Sequence, residues 1–183
     1  MKYVSLDLET TGLDEHTHQI LEIGAIIEDP YNELGFNEIP KFHAFIASPN
    51  YVCQAGAAVM NTNIFKILSE GKHQDIVTLL AAESMLINWL NKNLGKNADV
   101  TLAGKNVGTF DIPFLQVHMP NLFKNVNIHR RVLDPGILFT DIKKDSVIPN
   151  LKKCLSISGI QKEISHDAVE DAWDVIQVLR KKY

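Results

Sequence analysis

The chain has 183 residues, 45% of them apolar and 22% charged, with a formal net charge of −4. That composition suits one globular domain with an ordinary core and argues against a generally basic nucleic-acid binder; no apolar run approaches a membrane span. Two cysteines, Cys53 and Cys154, are too few for a disulfide framework or a structural zinc site, so both are expected as free thiols of a cytoplasmic protein without a signal peptide. No repeat, low-complexity tract or linker interrupts the sequence, and a single domain over 1–183 is expected.

In chain order, residues 2–8 and 19–28 ("QILEIGAIIE") read as strands, with Gly12 and Asp14 turning between them. Residues 42–47 ("FHAFIA") alternate as a third strand, and the short connections predict an antiparallel meander. Residues 73–95 carry a helical period, with Ile76, Leu79, Leu80, Met85, Leu86, Trp89 and Leu90 toward a core and Gly95 closing the helix. Residues 99–104 return as a short apolar strand, followed by a helix over roughly 109 to 118. A weaker strand is expected at 129–134 and a short helix at 150–159, ended by Gly159. The last element, 167–182, is an amphipathic helix with Ala168, Ala172, Val175, Ile176 and Leu179 on its apolar side. Strands first, then strand and helix in alternation, imply an α/β fold in which helices pack on a mixed sheet.

The chemistry starts at "YVSLDLETTGL", residues 3–13. Asp7 and Glu9 are two apart on a strand, so their side chains leave the same face, while Val4, Leu6 and Leu8 leave the other. Two acids on a strand that begins like a core element need a counter-charge, because burying a carboxylate alone is costly. Asp-x-Glu by itself is a common pattern, and strand ends often put acids into water. Two further stretches add to it. Asp111 lies amid Phe110, Ile112, Pro113, Phe114 and Leu115, and "SHDAVEDAWDV" (165–175) supplies His166 and Asp171. Four carboxylates and one imidazole suit a hard divalent cation such as Mg²⁺ or Mn²⁺; zinc would more usually recruit Cys or several His.

The segments "DLETTGL", "NVGTFDIPFL" and "HDAVEDA", in this order, resemble the three motifs of the DEDDh family of 3′–5′ exonucleases, which includes polymerase proofreading exonucleases, ribonuclease T and oligoribonuclease. The resemblance implies a ribonuclease H-like fold: a mixed sheet, antiparallel in its first three strands and parallel thereafter, with helices on both faces. It implies a metal-dependent exonuclease that releases nucleoside 5′-monophosphates from the 3′ end of single-stranded DNA or RNA. Two divalent metal ions, Mg²⁺ or Mn²⁺, would be held by Asp7, Glu9, Asp111 and Asp171, with His166 as general base. Thr10, Thr11, Gly12 and Leu13 match the turn that holds the 3′-terminal nucleotide, and Asn106 matches a substrate-binding position. A polymerase or another replication or repair protein is the partner class it allows.

The sequence departs from the family pattern in places. Lys105 stands where many members have His, and Asn106 lies five residues before Asp111 rather than four, so one inserted residue must be absorbed. Pro135 follows Asp134 where Thr is usual, which makes Asp134 a structural residue. His166 and Asp171 are five apart and would point about 140° from each other on one helix; both reach one site only if His166 precedes the helix proper. Leu13 is a candidate wedge against the terminal base, and Arg130-Arg131 the basic pair with the best claim on the backbone. Two other classes compete. One is a catalytically inactive nucleic-acid or polymerase-binding module of the same fold, against which the retention of all five motif residues speaks. The other is a metal-dependent phosphatase acting on a small nucleotide.

Overall fold

In the computed structural model, which describes residues 1–162 and 165–183, the first three strands form the expected antiparallel meander: β1 (Tyr3–Thr10), β2 (Ile20–Glu28) and β3 (Lys41–Ala47). Helices α1 (Ala55–Met60) and α2 (Thr62–Glu70) follow. Strand β4 (Ile76–Thr78) then pairs parallel to β3, and helix α3 (Leu79–Leu94) leaves directly from it. Two short strands, β5 (Asp99–Val100) and β6 (Leu102–Ala103), precede helices α4 (Asp111–His118) and α5 (Pro120–Asn125). Strand β7 (Asn127–Ile128) and helices α6 (Pro135–Leu138), α7 (Leu151–Ile157) and α8 (Ala168–Leu179) complete the chain. The main sheet runs β4-β3-β2-β1-β6, with β6 parallel to β1; β5 and β7 form a separate parallel pair.

Alternation along the strands divides the sheet into two apolar faces. Val4, Leu6 and Leu8 of β1, with Ile23, Ala25 and Ile27 of β2, pack against Leu86 and Leu90 of α3 and Phe114 and Leu115 of α4. On the other face Tyr3 and Ile26 meet Ala172, Val175, Ile176 and Leu179 of α8 and Leu155 of α7. Helices therefore cover both faces, as expected. The apolar side read for the last helix is the buried one, all five residues included.

Two stretches fold differently from the sequence reading. The helix expected over 73–95 begins only at Leu79. Its first residues form β4, because Ile76-Val77-Thr78 is a β-branched run that favours a strand. The Thr78 hydroxyl then caps the helix by accepting from the Ala81 amide at 3.3 Å. Starting there, α3 turns Ala82, Leu86 and Leu90 inward and leaves Leu80 and Met85 exposed. Gly95 does close it. The strand expected at 129–134 lies instead at Asn127–Ile128, with one isolated bridge from Leu133 to Ala103. The expected 99–104 strand is divided between β5 and β6, which belong to different sheets. Both cysteines are free, Cys53 exposed and Cys154 buried. Among the described residues, no helix is long and apolar enough to cross a membrane.

One close approach positions everything that follows. Gly24 of β2 lies opposite Asp7 of β1, and a Cβ built on it would come within 2.2 Å of the Ala168 carbonyl carbon. The missing side chain lets the first turn of α8 rest directly on the sheet beside Asp7. We expect Gly24→Ala to destabilise the protein by about 1–3 kcal/mol in urea unfolding, since overpacking forces backbone to move. Wild-type stability in that variant would show that α8 is not seated at this contact.

Candidate metal centre

Strand β1 carries the first two acids to one end of the sheet. Ser5, Asp7 and Glu9 leave the face that α8 covers, and the Ser5 hydroxyl donates to the Ala172 carbonyl at 2.7 Å. Beyond Ser5 the partner strand β6 ends, so the outer edge of β1 has lost its ladder. Asp111, at the first position of α4, fills that gap: its Oδ1 accepts from the Leu8 amide at 3.0 Å. A tight turn precedes α4. Asn106 sits at φ 60°, and its carbonyl accepts from both Thr109 and Phe110 amides at 2.9 Å.

Asp171 comes from the opposite side, in the first turn of α8, one turn after the Asp167 cap, whose carboxylate accepts from Glu170 N at 2.9 Å. His166 precedes the helix at φ 53°, which frees its ring from the helical 100° repeat and turns it toward the acids. Ser165 does not cap the helix; its hydroxyl donates to Asp171 Oδ1 at 3.3 Å. One oxygen of Glu9, one of Asp171 and a ring nitrogen of His166 all lie within 4.8 Å of one another, and His166 Nδ1 is 3.9 Å from Glu9 Oε1.

These residues line a cleft of about 450 Å³ together with Asp7, Asp111 and Thr10, Gly12 and Leu13 of the turn after β1. Its far wall is Gln54, Gly56, Ala57, Met60 and Asn61 from α1 and its flanks. Leu13 lines the cleft and is 74% exposed. Phe110 lines the cleft and packs against Phe114, which is core. Thr11 and Asn106 fall outside. Thr11 is fully buried, its hydroxyl accepting from the Gln19 amide at 2.8 Å, so it fixes the turn rather than facing the cleft. Asn106 is exposed beside the Lys105 ammonium; Lys105 is the member of that pair that lines the cleft. Asp134 caps α6 through the Gly136 amide at 2.7 Å and accepts from the Asn106 amide at 3.0 Å.

The electrostatics are those of acids forced together. Burial pushes the Asp7 carboxyl well above the ordinary range, and the charges of Asp111, Glu9, Asp171 and Glu22 push it further. Burial and then Glu22 raise Glu9 to about 8. Burial raises Asp111 to about 7 despite the Leu8 amide, and raises Asp171 to about 6, with Asp174 adding to it and Ser165 and His166 opposing. An oxygen-rich set with one imidazole, whose members repel until a cation joins them, fits a hard divalent ion.

Sequence reasoning passed over Asn61 and Glu22, whereas Lys105 was among the basic residues considered for a nucleic-acid backbone and does line the cleft. Asn61 holds the β1 turn by donating to the Thr10 carbonyl at 3.0 Å, and nothing in its local pattern marks it. Glu22 had a visible signal, an acid inside the apolar run "QILEIGAIIE".

A mixed sheet with three antiparallel strands, a parallel fourth beside β1, and acids delivered from β1, α4 and α8 to one end defines a ribonuclease H-like nuclease fold. The family profile described as "RNase_T: Exonuclease" matches residues 4–179, and the chain belongs to this exonuclease family. It is 31% identical to the oligoribonuclease of Photobacterium profundum over 96% of this chain and 90% of that one. To the probable oligoribonuclease of Schizosaccharomyces pombe it is 27% identical over 97% of its own length, spanning 65% of that relative. Among solved structures it resembles E. coli exonuclease I in complex with a dT13 oligonucleotide, with TM-score 0.68 at 16% identity over 98% of this chain and 40% of that one. The family is dependent on divalent metal.

Each raised carboxyl binds its proton more tightly in the folded than in the unfolded chain, so stability falls as pH rises between the two values. Without metal, the melting temperature should therefore drop from about pH 4, the ordinary carboxylate value, to about pH 8, where Glu9 has ionised. Added Mn²⁺ should raise it most at the upper end. A metal-free melting temperature that climbs across this window would contradict the buried, mutually repelling arrangement.

Proposed function

We propose that this protein is a 3′–5′ exonuclease that removes nucleoside 5′-monophosphates from the ends of short single-stranded oligonucleotides, RNA foremost. The observation that carries the reading is the convergence of Glu9, Asp171 and His166 within 4.8 Å at one end of a cleft that Asp7 and Asp111 also line. The cleft volume lies in the lower half of the range usual for small-molecule sites, roughly 300–1,000 Å³, which suits a terminal nucleotide and not a duplex. Relatives named oligoribonuclease support a short RNA substrate.

Asp7, Glu9, Asp111 and Asp171 would hold two divalent ions, Mg²⁺ or Mn²⁺. Bound there, the ions supply Lewis-acid polarisation of the scissile phosphate and acidify water. The protein's own groups do the rest. Leu13 and Met60 flank the terminal base, and the Thr10–Gly12 turn holds its sugar. His166 takes the proton of the attacking water on Nε2, its Nδ1 being the nitrogen that faces Glu9. Half exposure and the left-handed backbone leave this ring free to meet an incoming water from the cleft mouth. Lys105, which lines the cleft, is the cation nearest to hand for a backbone phosphate.

The test is a set of short RNA and DNA oligonucleotides, labelled at either end, with Mg²⁺ or Mn²⁺. We expect stepwise release of 5′-mononucleotides from the 3′ end, faster on RNA. No release from any strand, or binding without cleavage, would leave the inactive-module reading; free phosphate as the sole product would point to a phosphatase. Asp7→Ala should abolish turnover. His166→Ala should lower it by about 10²–10⁴ while Mn²⁺ binding persists, and full activity in either variant would remove that residue from its role.

A further inference from the structure

We propose that Glu22, His43 and Asp75 form a positioning network for the catalytic centre: a buried acid on β2 grips the first amide of α8 and is itself held by an imidazole anchored from the turn before β4. The proposal rests on the reading of the acidic cleft as a metal-dependent nuclease site. None of the three lines the cleft, so the network acts through other residues.

Glu22 is 1% exposed and stands directly opposite Glu9 in the β1–β2 ladder. A carboxylate buried beside Glu9 and near Asp7 is costly unless it is paired and hydrogen-bonded. Two groups meet it. His43 Nε2 lies 2.7 Å from Glu22 Oε1, and the Ala168 amide donates to Glu22 Oε2 at 3.3 Å. His43 is held in turn: its Nδ1 is 3.0 Å from Asp75 Oδ2, with Phe45 edge-on at 4.6 Å and the His73 ring at 6.2 Å. Burial alone would lower the His43 pKa, but the hydrogen bonds and charges of Glu22 and then Asp75 raise it above its ordinary value. Both ring nitrogens thus face carboxylates, and the ring is clamped between them.

The end of this chain of contacts gives it its purpose. Ala168 opens α8, and its amide is one of the four that a helix N-terminus leaves without an internal partner. Asp167 satisfies the Glu170 amide, and Glu22 takes that of Ala168. His166 lies two residues before this grip and Asp171 three after it. Gly24, next but one to Glu22 on the same face, lets the Ala168 peptide rest on the sheet. Gly24 thus sets how closely α8 approaches, and Glu22 fixes where along β2 it sits. Together they set the separation between Glu9 on the sheet and His166 and Asp171 on the helix side.

The experiment compares Glu22→Ala, Glu22→Gln and His43→Gln in the full chain. It reads kcat and KM on a short RNA oligonucleotide, Mn²⁺ affinity by calorimetry, and hydrogen exchange at the Ala168 amide. Losing a charge-assisted hydrogen bond should lower kcat of Glu22→Ala by about ten- to a hundredfold, with KM nearly unchanged, weaker Mn²⁺ binding and faster Ala168 exchange. Glu22→Gln keeps an oxygen for Ala168 and should recover most of kcat; His43→Gln should fall between. Wild-type kcat and Mn²⁺ affinity in Glu22→Ala would overturn the proposal. So would a Gln variant no better than Ala, since Glu22 would then act by its charge on the metal and not through the helix. If Glu22→Ala fails to fold, His43→Gln decides alone: its side chain is 23% exposed, and unchanged kcat with unchanged Ala168 exchange would sink the network. A wild-type protein with no nuclease activity would refute the proposed function, yet Mn²⁺ affinity and Ala168 exchange would still test the positioning.

Discussion

The burial of several carboxyl groups together at one end of the sheet is the constraint on which the rest of the structure depends. Asp7, Glu9, Asp111 and Asp171 are brought together from β1, α4 and α8, and each is pushed toward its protonated form by burial. A fold selected only for stability would separate them, because breaking up unpaired buried charge is favourable. Holding them together takes specific attachments: the Leu8 amide for Asp111, the Ser165 hydroxyl for Asp171, and the Gly24 contact that sets the helix beside the strand. A divalent cation joining the group would relieve that strain, so on the proposed reading a weakness of the metal-free protein would also be the source of its affinity for metal.

The architecture around this cluster uses few parts. The early end of β6 leaves the Leu8 amide without a strand partner, and that same gap in the ladder gives Asp111 its anchor. Asn106 takes a left-handed backbone in the turn before α4, the helix that carries Asp111. His166 does the same before α8. In both cases a turn leads into the helix, which leaves each candidate ligand on a regular element and the general-base candidate on a loop.

Much of this was legible in the sequence, and the reasons differ by element. The meander and the last helix were readable because their apolar periods are uninterrupted and both faces of the sheet are covered. The acids could be named as candidates because their three segments resemble the motifs of a known exonuclease family, and Asp111 also stands in an apolar run where a charge needs an explanation. The start of α3 was misread because Ile76 fits a helical stripe as well as a strand, and only pairing with β3 decides between them. Thr11 was expected in the cleft on motif likeness, but its hydroxyl is taken up by Gln19. Glu22 carries no motif chemistry, so its role emerges only when β2, β3 and α8 are seen in contact; a single strand cannot announce a partner that is 146 residues away.

The central claim, that partly protonated carboxyls converge to take up divalent cations, is tested most directly by counting protons. Mn²⁺ is titrated calorimetrically near neutral pH in two buffers of different ionisation enthalpy. We expect tight binding with net proton release, because Glu9, raised to about 8, holds a proton there until the cation displaces it, and burial raises Asp7 and Asp111 in the same direction. Binding without proton release, or no binding at all, would contradict the account.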